Sequence, residues 1–504
     1  MNDNILYINT DEGKPRTMQN SLLENRRGMA ESQRSQTGTK VTVVVVAYNR
    51  IDKTKRCVES ILQYTKDIDY NLLLIDNGSD DETLEYFASI SFAKKKIIKI
   101  SKNMEVLQPF LYLEFRDIGD YMVFVQNDIV VTENWLKNML ICAESDISIG
   151  MVVPMSSNTS NGQQVSIEFS SQQQMQKKAA EFNRSNPKDW QERLRLITIA
   201  PLFRKETLFA IGFPLLDPAF FHNFCDDDVT FRVRRAGYKA ILLGDTWVHH
   251  DHPVKLKPQK ELDALQQSLE VDRHIFRDKW NGIDAWDDVN NFCFDILEYI
   301  EPSNIKDAKI LGIDVRCGTP ALDIKNHLRK YEIWDAEISA FTQQDRYVAD
   351  LKTISSGIVA CDREEFIKDY FLESHFNYSI IGKPINQYHE PQKIIQDVFS
   401  LTKKGGFIII SLLNPLGVPE FLNILGQREV YNPQFSLNIP LEVLYKELEK
   451  IGTVKFCQAR TGKVSQGDIE ALKALLAGCV PEDRVEECLM RLTAEEFVIG
   501  IEKR

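Results

Sequence analysis

Residues 40–50 are KVTVVVVAYNR, a run of β-branched residues that ends in a polar Tyr-Asn-Arg turn. A strand this uniformly apolar is typical of a parallel sheet whose two faces are both covered by helices. In the DKTKRCVESILQYT segment that follows, apolar residues recur at helical spacing, and Asp52 is suited to begin a helix. The stretch therefore predicts a strand, a turn and a helix, the first part of a βαβ unit.

Two further segments repeat this pattern, YNLLLIDNGSDDETLEYF (70–87) and DYMVFVQNDIVV (120–131). Their apolar runs end at Asp76 and Asp128. In open α/β sheets, ligands bind beyond the carboxyl ends of the strands. A carboxylate there can also be a helix cap or a turn residue. The sequence therefore predicts an α/β domain in which Asp76 and Asp128 lie at the ligand-binding edge.

Composition narrows the classes of protein that fit. A length of 504 residues, 43% of them hydrophobic and 27% charged, predicts a folded chain of two or three domains. A formal net charge of -12 disfavours a nucleic-acid binder. The nine cysteines show no Cys-x-x-Cys pair, which predicts neither disulfides nor a zinc site and favours the cytoplasm. No apolar run predicts a membrane span, and nothing predicts the oligomeric state.

The chain divides into three regions by composition. Residues 1–39 are polar and predict a flexible N-terminal tail. Residues 40–290 contain the repeated strand-turn-helix pattern described above. Residues 291–504 begin a second series of strands and helices, and predict a separate α/β domain.

Five motifs in order carry a resemblance to a known family: VVVVAYNR, LLLIDNGSDDET, DYMVFVQNDIVVTENWL, FCDDDVTFRVRRAGY and TWVHHDHP. Together they resemble glycosyltransferase family 2, whose members are inverting transferases of the GT-A fold. The resemblance covers roughly residues 40–285. It implies a Rossmann-like mixed sheet that binds a nucleotide-sugar.

The resemblance implies donor-binding roles at the ends of the first two strands. Ala47, Tyr48 and Asn49 would surround the base and ribose. Asp76 would hydrogen-bond the base, usually uracil, with Asn77 beside it. The implied donor is a nucleotide-sugar such as UDP-N-acetylglucosamine.

The resemblance also implies a divalent cation, Mn or Mg. The QNDI segment stands where the family has a D-x-D-like motif, so Asp128 would hold the cation on the diphosphate. Asn127 replaces an expected Asp, which predicts modest metal affinity and a gain when Asn127 is changed to Asp. His249 in VHHDH is the implied histidine of the metal site, and His250 is the residue that a one-position register error would select.

The CDDDVTFRVRRAG segment implies the catalytic base. Aligned on its Ala-Gly end, it places Cys225 at the usual Glu and Asp226 at the carboxylate that accepts the acceptor proton. Neighbouring charges on Asp227 and Asp228 are expected to raise one carboxylate pKa. Alternatively, the three carboxylates only stabilise a helix N-terminus, which is the favoured reading for Asp227.

The second region contains DAKILGIDVRCGTPALDI and resembles the class I methyltransferase fold, which binds S-adenosylmethionine. Asp314, Cys317 and Gly318 fit its glycine-rich motif, whereas Arg316 and Pro320 replace two expected glycines. Acidic positions remain that could contact ribose and adenine: Glu337 and Asp362. We therefore expect a degenerate, accessory methyltransferase-like domain in which S-adenosylmethionine binding is disfavoured.

Three functions follow from these observations. The first is an inverting glycosyltransferase that uses a nucleotide-sugar and modifies a hydroxyl of a protein, such as bacterial flagellin, or of a cell-surface glycan; this acceptor class is analogy alone. The second is a bifunctional glycosyltransferase and methyltransferase. The third is a non-catalytic scaffold with a decayed site, which Asn127 and Cys225 favour and Asp76, Asp128 and Asp226 oppose.

Overall fold

The structure of the chain is a computed structural model that describes residues 5–8, 40–104, 118–212, 214–220, 223–252, 258–302, 305, 307–418, 439–462 and 464–504. The chain forms two compact units, residues 1–290 and residues 291–504. This division coincides with the boundary used in the sequence analysis. Each unit is built around its own sheet.

The first unit is a mixed α/β structure. Its strands are β1 (Ile5–Ile8), β2 (Val41–Ala47), β3 (Tyr70–Asn77), β4 (Lys95–Ile100), β5 (Tyr121–Gln126), β6 (Ile129–Val130), β7 (Ile149–Ser156), β8 (Trp190–Glu192), β9 (Leu202–Arg204) and β10 (Lys239–His250). Its helices are α1 (Ile51–Tyr64), α2 (Thr83–Ser89), α3 (Trp135–Ser145), α4 (Gln172–Phe182), α5 (Lys205–Ile211), α6 (Cys225–Arg235) and α7 (Gln259–Lys279).

The ten-stranded sheet of this unit has the order β1-β4-β3-β2-β5-β9-β7-β10-β6, and β8 pairs with β10. Strands β4, β3, β2 and β5 are parallel, and the register pairs Ala47 with Asp76 and Val46 with Gln126. The carboxyl ends of β2, β3 and β5 are therefore level. Strand β9 is antiparallel to both β5 and β7, so the sheet is mixed as predicted.

Burial explains the uniformly apolar β2 strand. Val41, Val43 and Val45 are fully buried in the main core cluster, and Val44 is fully buried as well. A central parallel strand covered on both faces has no solvent-facing position for a polar residue. The apolar run that opened the sequence analysis is thus the centre of the sheet.

The predicted N-terminal tail contains one strand. Residues Ile5–Ile8 pair in parallel with β4 at the edge of the sheet, with Ile5 opposite Ile97. The short ILYI run has the composition of a strand, and pairing satisfies the outer backbone groups of β4. The flexible-tail prediction does not hold for these four residues; residues 1–4 and 9–39 lie outside the described part of the chain.

The second unit contains seven strands: β11 (Lys309–Ile313), β12 (Glu337–Thr342), β13 (Val359–Cys361), β14 (Phe376–Ile381), β15 (Thr402–Leu413), β16 (Gly452–Thr461) and β17 (Ala494–Lys503). Its helices are α8 (Phe294–Leu297), α9 (Thr319–Arg329), α10 (Val348–Ile354), α11 (Ile367–Tyr370), α12 (Pro391–Leu401), α13 (Leu441–Ile451), α14 (Gln466–Ala477) and α15 (Val485–Thr493).

The sheet order of the second unit is β13-β12-β11-β14-β15-β17-β16. The first five strands are parallel, and β17 runs antiparallel between β15 and β16. Counted within the unit, this is 3-2-1-4-5 followed by an antiparallel pair, a doubly wound arrangement whose order reverses between β11 and β14. The predicted fold class, two successive α/β domains with a methyltransferase-like second one, is confirmed.

The strand-end edge of the second unit is occupied by its own side chains. Asp314 directly follows β11 and accepts hydrogen bonds from the Gln343 backbone N–H (2.9 Å), the Gln343 side-chain amide (3.0 Å) and the Tyr388 hydroxyl (2.9 Å). Burial, and then the nearby Asp314 carboxylate, raise the pKa of Tyr388 well above its usual value, which keeps the phenol protonated. Asp314 is therefore held by protein donors.

The predicted ribose contact of Glu337 is wrong. Glu337 begins β12 and pairs with Lys309 at the start of β11, so it lies at the opposite end of the strands from Asp314. The residue after β12 is Gln343, which carries no charge. Asp362 does follow β13 at the expected edge, where it accepts a hydrogen bond of 2.7 Å from the Tyr370 hydroxyl.

Two further sequence expectations concern the whole chain. All nine cysteines fall in the described residues, and each is a free thiol. No helix in the described part of the chain has both the length and the apolar composition needed to span a bilayer.

Candidate active site

The turn after β2 begins the candidate site. Ala47 is fully buried, whereas the Tyr48 side chain is exposed. Asn49 and Arg50 both have left-handed backbone conformations, with φ of 52° and 59°. The Asn49 N–H donates to Ser79 Oγ, and the Asp80 N–H donates to Asn49 Oδ1, each at 2.9 Å. These bonds fix the turn after β2 against the turn after β3.

Asp76 and Asn77 form the floor of this edge. Asp76 is fully buried; its Oδ1 accepts from the Ser79 N–H at 2.8 Å, and its Oδ2 accepts from Lys99 Nζ at 2.8 Å. The side chain of Asn77 accepts from the Met104 N–H at 3.0 Å. Both side chains therefore hold neighbouring turns in place, and both lie at the level of Ala47 as predicted from the strand pattern.

Asp128 is the carboxylate in this region that has spare acceptor capacity. It is 7% exposed, and its Oδ1 is buried without a hydrogen bond from any described residue. Its Oδ2 lies 3.8 Å from His250 Nε2, 3.5 Å from His252 Nδ1 and 3.9 Å from Arg50 Nη1. A buried carboxylate oxygen without a donor is costly unless a cation or ligand completes it.

Strand pairing brings the two histidines to Asp128. The end of β10 runs antiparallel to β6, with His250 opposite Ile129, the residue after Asp128. The ring nitrogen His250 Nδ1 lies 3.2 Å from the Asn158 carbonyl oxygen. Because a carbonyl only accepts, Nδ1 is the donor in this contact, and Nε2 is the ring nitrogen that faces Asp128. Nε2 is therefore the nitrogen through which His250 could bind a metal ion.

The electrostatics agree with a cation site. Burial on its own raises the pKa of Asp128, but hydrogen bonds and charge from His250 and His252 outweigh that effect and hold the pKa below its usual value. Ligand atoms of Asp128, His250 and His252 all lie within 4.8 Å of one another. One carboxylate and two imidazoles suit a first-row transition metal such as Mn. The residues present therefore fit a divalent cation.

His249, the histidine implied by the family register, is not in this group. Its Nδ1 lies 2.8 Å from Ser157 Oγ, and its ring meets Phe169 edge-on at 5.2 Å. Burial lowers the pKa of His249, which favours the neutral ring. Successive residues of a strand point to opposite faces, so the residue beside Asp128 is His250 and not His249. His252 follows two positions later, on the same side.

Asn127 also points away from the metal group. Its side-chain amide donates to the Asn49 carbonyl and to Thr54 Oγ1, both at 3.0 Å. It thus ties the end of β5 to the turn after β2. A second carboxylate at this position would lie against a backbone carbonyl, which opposes the expectation that Asn127→Asp tightens metal binding.

Positive charge surrounds the site on the α1 side. Arg56 Nη2 lies 2.5 Å and Lys53 Nζ 3.6 Å from Asp251 Oδ2, and Asp251 lies between His250 and His252 in the sequence. Arg50, at the start of the same helix, faces Asp128 and is 58% exposed. Guanidinium and ammonium groups at a helix N-terminus are favourable partners for phosphate.

The three carboxylates of α6 differ in environment. Asp228 is fully buried and is bound by Arg232 Nε (2.9 Å), Trp280 Nε1 (3.1 Å) and Lys279 Nζ (2.6 Å). Asp227 is buried and paired with Arg195. Burial raises the pKa of Asp227 to about 6, with Arg195 opposing and the adjacent carboxylates adding a smaller increase. The raised carboxylate pKa is therefore caused mainly by burial.

Asp226 is the partly exposed member of the three, and its Oδ1 accepts a hydrogen bond from the Thr198 hydroxyl. Cys225, which stands at the usual Glu, is buried, and burial raises the pKa of its thiol well above the usual value. A neutral buried thiol is no substitute for a carboxylate base. The geometry therefore favours Asp226 among the acidic residues of this helix.

Sequence reasoning missed several residues that the fold brings to the site. They are Arg50, Lys99, Ser157, Arg195, Thr198, His250 as a member of the Asp128 group, and His252. A signal was available for the two histidines, because β10 alternates and VHHDH places them two residues apart. No local pattern marks Thr198 or Arg195, whose partners are 28 and 32 positions away in the chain.

Residues 42–205 match the family model described as "Glycosyl transferase family 2". The matched range contains Asp76 and Asp128 and ends before α6 and β10. No curated protein matches the chain.

Three solved structures illustrate the structural similarities. "GalNAc-T7 with UDP, GalNAc and Mn2+" is 13% identical with a TM-score of 0.35, covering 49% of this chain and 55% of that chain. "Mannosyltransferase PcManGT from Pyrobaculum calidifontis in complex with GDP-Man and Mn2+" is 15% identical with a TM-score of 0.35, covering 51% and 72%. "SAM dependent methyltransferase from Archaeoglobus fulgidus" is 14% identical with a TM-score of 0.30, covering 46% and 99%. The chain thus spans about half the length of the first of these.

Proposed function

Residues 42–205 are a glycosyltransferase family 2 domain, and on that basis we propose that the chain transfers a sugar from a nucleotide-sugar with inversion at the anomeric carbon. The observation that supports the reaction best is the Asp128 group at the carboxyl ends of the strands. Asp128 Oδ1 is buried without a donor among the described residues, and Oδ2 of the same carboxylate lies near the imidazoles of His250 and His252, close enough for the three side chains to share one ion. Such an arrangement does not stabilise the packing of the domain, because a buried acceptor without a donor is destabilising.

The donor would lie across the turns after β2 and β3. The exposed Tyr48 ring offers a surface for the base, and Asn49 is held by the second turn. Asp76 is buried beneath them, so it supports the base site through the 76–79 turn and Lys99. The family resemblance favours uracil, and UDP-N-acetylglucosamine is the proposed donor.

Asp128, His250 and His252 are the proposed metal ligands, and His249 supports the loop beside them. A divalent cation bound here would neutralise the diphosphate and stabilise its departure. Imidazole nitrogens favour Mn over Mg, since Mg prefers oxygen ligands throughout. Arg50, whose guanidinium lies 3.9 Å from Asp128, is proposed to add a direct contact to phosphate.

Asp226 is the proposed base. Its carboxylate accepts the proton of the acceptor hydroxyl while that oxygen attacks the anomeric carbon from the side opposite the diphosphate. The proposed acceptor is a hydroxyl of a protein or of a cell-surface glycan, reached from the cytoplasm. Neither Asp227 nor Asp228 can serve, because both are buried in ion pairs.

The second unit is proposed as an accessory domain. Its fold is methyltransferase-like, but Gln343 replaces an acidic residue at the ribose position and Asp314 is occupied by protein donors. This observation disfavours the bifunctional alternative. The scaffold alternative is disfavoured by the unsatisfied oxygen of Asp128, because a decayed site has no reason to keep a buried carboxylate without a donor.

The test is a calorimetric titration of UDP into the full chain with and without Mn. We expect Mn to tighten UDP binding in the wild type. Asp128→Ala and His250→Ala should each weaken Mn-dependent binding at least about tenfold, since each loses a direct ligand. Hydrolysis of UDP-N-acetylglucosamine, followed as released UDP, should need Mn in the same way.

His249→Ala is the matched control, because it removes a neighbouring imidazole that faces the other side of the strand. It should keep the Mn effect. A wild type that binds UDP equally with and without Mn contradicts the metal proposal. Loss of the Mn effect in His249→Ala, with retention in His250→Ala, returns the ligand role to His249.

A further inference from the structure

The segment 194–198 runs along one side of α6 and is attached to it through successive helix side chains. The attachments involve both side chains and backbone carbonyls of the segment. They are Thr198 to Asp226, Arg195 to Asp227, Thr230 Oγ1 to the Leu196 carbonyl (3.3 Å) and Arg234 Nε to the Leu194 carbonyl (2.9 Å). These contacts fix the segment against α6, and with it the position of the Thr198 hydroxyl that binds Asp226.

The other side of this segment is held by Gln163. Gln163 is fully buried, its Nε2 donates to the Ile197 carbonyl at 3.0 Å, and its Oε1 accepts from the Ile197 N–H at 2.7 Å. One side chain thus satisfies both backbone groups of the residue before Thr198. Asn161 adds a bond of 3.0 Å from its Nδ2 to the Arg195 carbonyl.

The loop that contains Asn161 and Gln163 also contacts His250 of the Asp128 group, through Ser157 and Asn158 at its beginning. Ser157 Oγ lies 2.8 Å from His249 Nδ1 and accepts from the His250 N–H at 3.1 Å. Asn158 bonds His250 through both its carbonyl and its side-chain amide. Residues 157–163, which we call the connecting loop, therefore contact both the histidine of the Asp128 group and the segment that carries Thr198.

We propose that Thr198 is a positioning residue for Asp226, and that Gln163 fixes Thr198 for this purpose. The inference rests on the proposed function, in which Asp226 accepts the proton of the acceptor hydroxyl. Thr198 touches neither donor nor acceptor in this role. It acts only through the carboxylate that it binds.

The physical basis is the rotational freedom of a carboxylate. A partly exposed Asp samples several χ angles, and only some of them direct an oxygen at an acceptor. The Thr198 hydroxyl binds Oδ1 and so limits the rotation of the carboxylate. Losing such orientation costs rate more than binding, because donor contacts are elsewhere.

The experiment compares Thr198→Val with Thr198→Ser in the full chain. Valine keeps the shape and removes the hydroxyl, and serine restores it. We expect Thr198→Val to lower kcat about 10- to 100-fold while the Mn-dependent Kd for UDP stays within about twofold of wild type. Thr198→Ser should recover most of kcat. Gln163→Met, which keeps the side-chain length, should lower kcat in the same direction.

Thr207→Val is the matched control. Thr207 is also a buried threonine, on α5, and its hydroxyl has no partner among the described residues, so its replacement should leave kcat unchanged. Wild-type kcat in Thr198→Val, or a serine variant as slow as the valine variant, overturns the proposal. When Thr198→Val fails in this way, Asp226→Asn in the same assay shows which proposal is wrong. An inactive Asp226→Asn keeps Asp226 as the base and refutes only the positioning role of Thr198, whereas transfer at the wild-type rate refutes the proposed base itself.

Discussion

Three consecutive aspartates on α6 show how burial divides roles among identical side chains. Asp228 is buried in a network with Arg232, Lys279 and a tryptophan, and Asp227 is buried against Arg195. Removing one member of a buried pair leaves a charge without its partner, which costs several kcal/mol. Asp226 is partly exposed and accepts a hydrogen bond from the Thr198 hydroxyl. Its replacement should affect chemistry before stability.

We therefore predict opposite consequences for two neighbouring substitutions. Asp226→Asn should lower the transfer rate on the order of 100-fold to 10,000-fold and leave UDP binding and melting temperature unchanged, because it removes a proton acceptor and keeps the shape. Asp227→Asn should lower the melting temperature, because Arg195 stays buried without its counter-charge. Transfer rate, UDP affinity and thermal melting of both variants check this.

The opposite pattern in these two variants would contradict the assignment of Asp226 as the base. If Asp227→Asn is fully folded and inactive while Asp226→Asn turns over normally, the register through CDDDVTF is displaced by one residue. Asp228→Asn is the stability control, since Asp228 has three partners and no exposed surface.

At the scale of elements, the strands were predictable and the turns were not. The apolar runs of β2, β3 and β5 identified the centre of the sheet, and their polar ends identified Asp76 and Asp128, because burial imposes a simple pattern on a parallel strand. The side-chain directions in the turns depend on partners far along the chain. Asn127 bonds to Asn49, 78 positions away, and no local pattern reports that contact.

Strand register and strand boundaries explain two further differences between the structure and the sequence analysis. His249 and His250 are adjacent in one strand, so the choice between them needed the pairing of β10 with β6, which is only two residues long. Glu337 was expected at the ribose, whereas it is the first residue of β12. In both cases an error of register or boundary transfers a side chain to the wrong face or the wrong end of the sheet.

Asn127, in the turn after β5, leads to a prediction about the stability of the first unit. Asn127→Asp replaces the amide that donates to the Asn49 carbonyl and to Thr54 Oγ1 by an acceptor. Two lost hydrogen bonds and a carboxylate beside a carbonyl should destabilise the unit by about 1 to 3 kcal/mol. Denaturant unfolding measures the change. Mn affinity that rises in this variant would show that residue 127 can turn toward the metal group after all.

At the scale of the whole molecule, two α/β units use the same kind of edge differently. In the first unit the strand ends carry a buried carboxylate oxygen, Asp128 Oδ1, that has no donor in the described part of the chain. In the second unit the corresponding carboxylate, Asp314, accepts from Gln343 and Tyr388. Arg316 also adopts a left-handed conformation (φ 55°), for which the glycine of the family motif is better suited. The two strand-end carboxylates therefore differ in whether described protein donors bind both of their oxygens.

This contrast predicts which ligands stabilise the full chain. UDP with Mn should raise the melting temperature, because a ligand that binds only the folded state adds about 2.7 kcal/mol when its concentration is 100 times Kd. S-adenosylmethionine at the same concentration should leave the transition of the second unit unchanged, since Gln343 supplies no carboxylate for ribose and both Asp314 oxygens already accept hydrogen bonds from Gln343 or Tyr388. Differential scanning calorimetry of the full chain resolves the comparison. The variant Tyr388→Phe removes one hydrogen-bond donor from Asp314. If S-adenosylmethionine raises the melting temperature of this variant only, the Tyr388 hydroxyl alone blocks the site. If it raises the melting temperature of the wild type, the bifunctional alternative is favoured again.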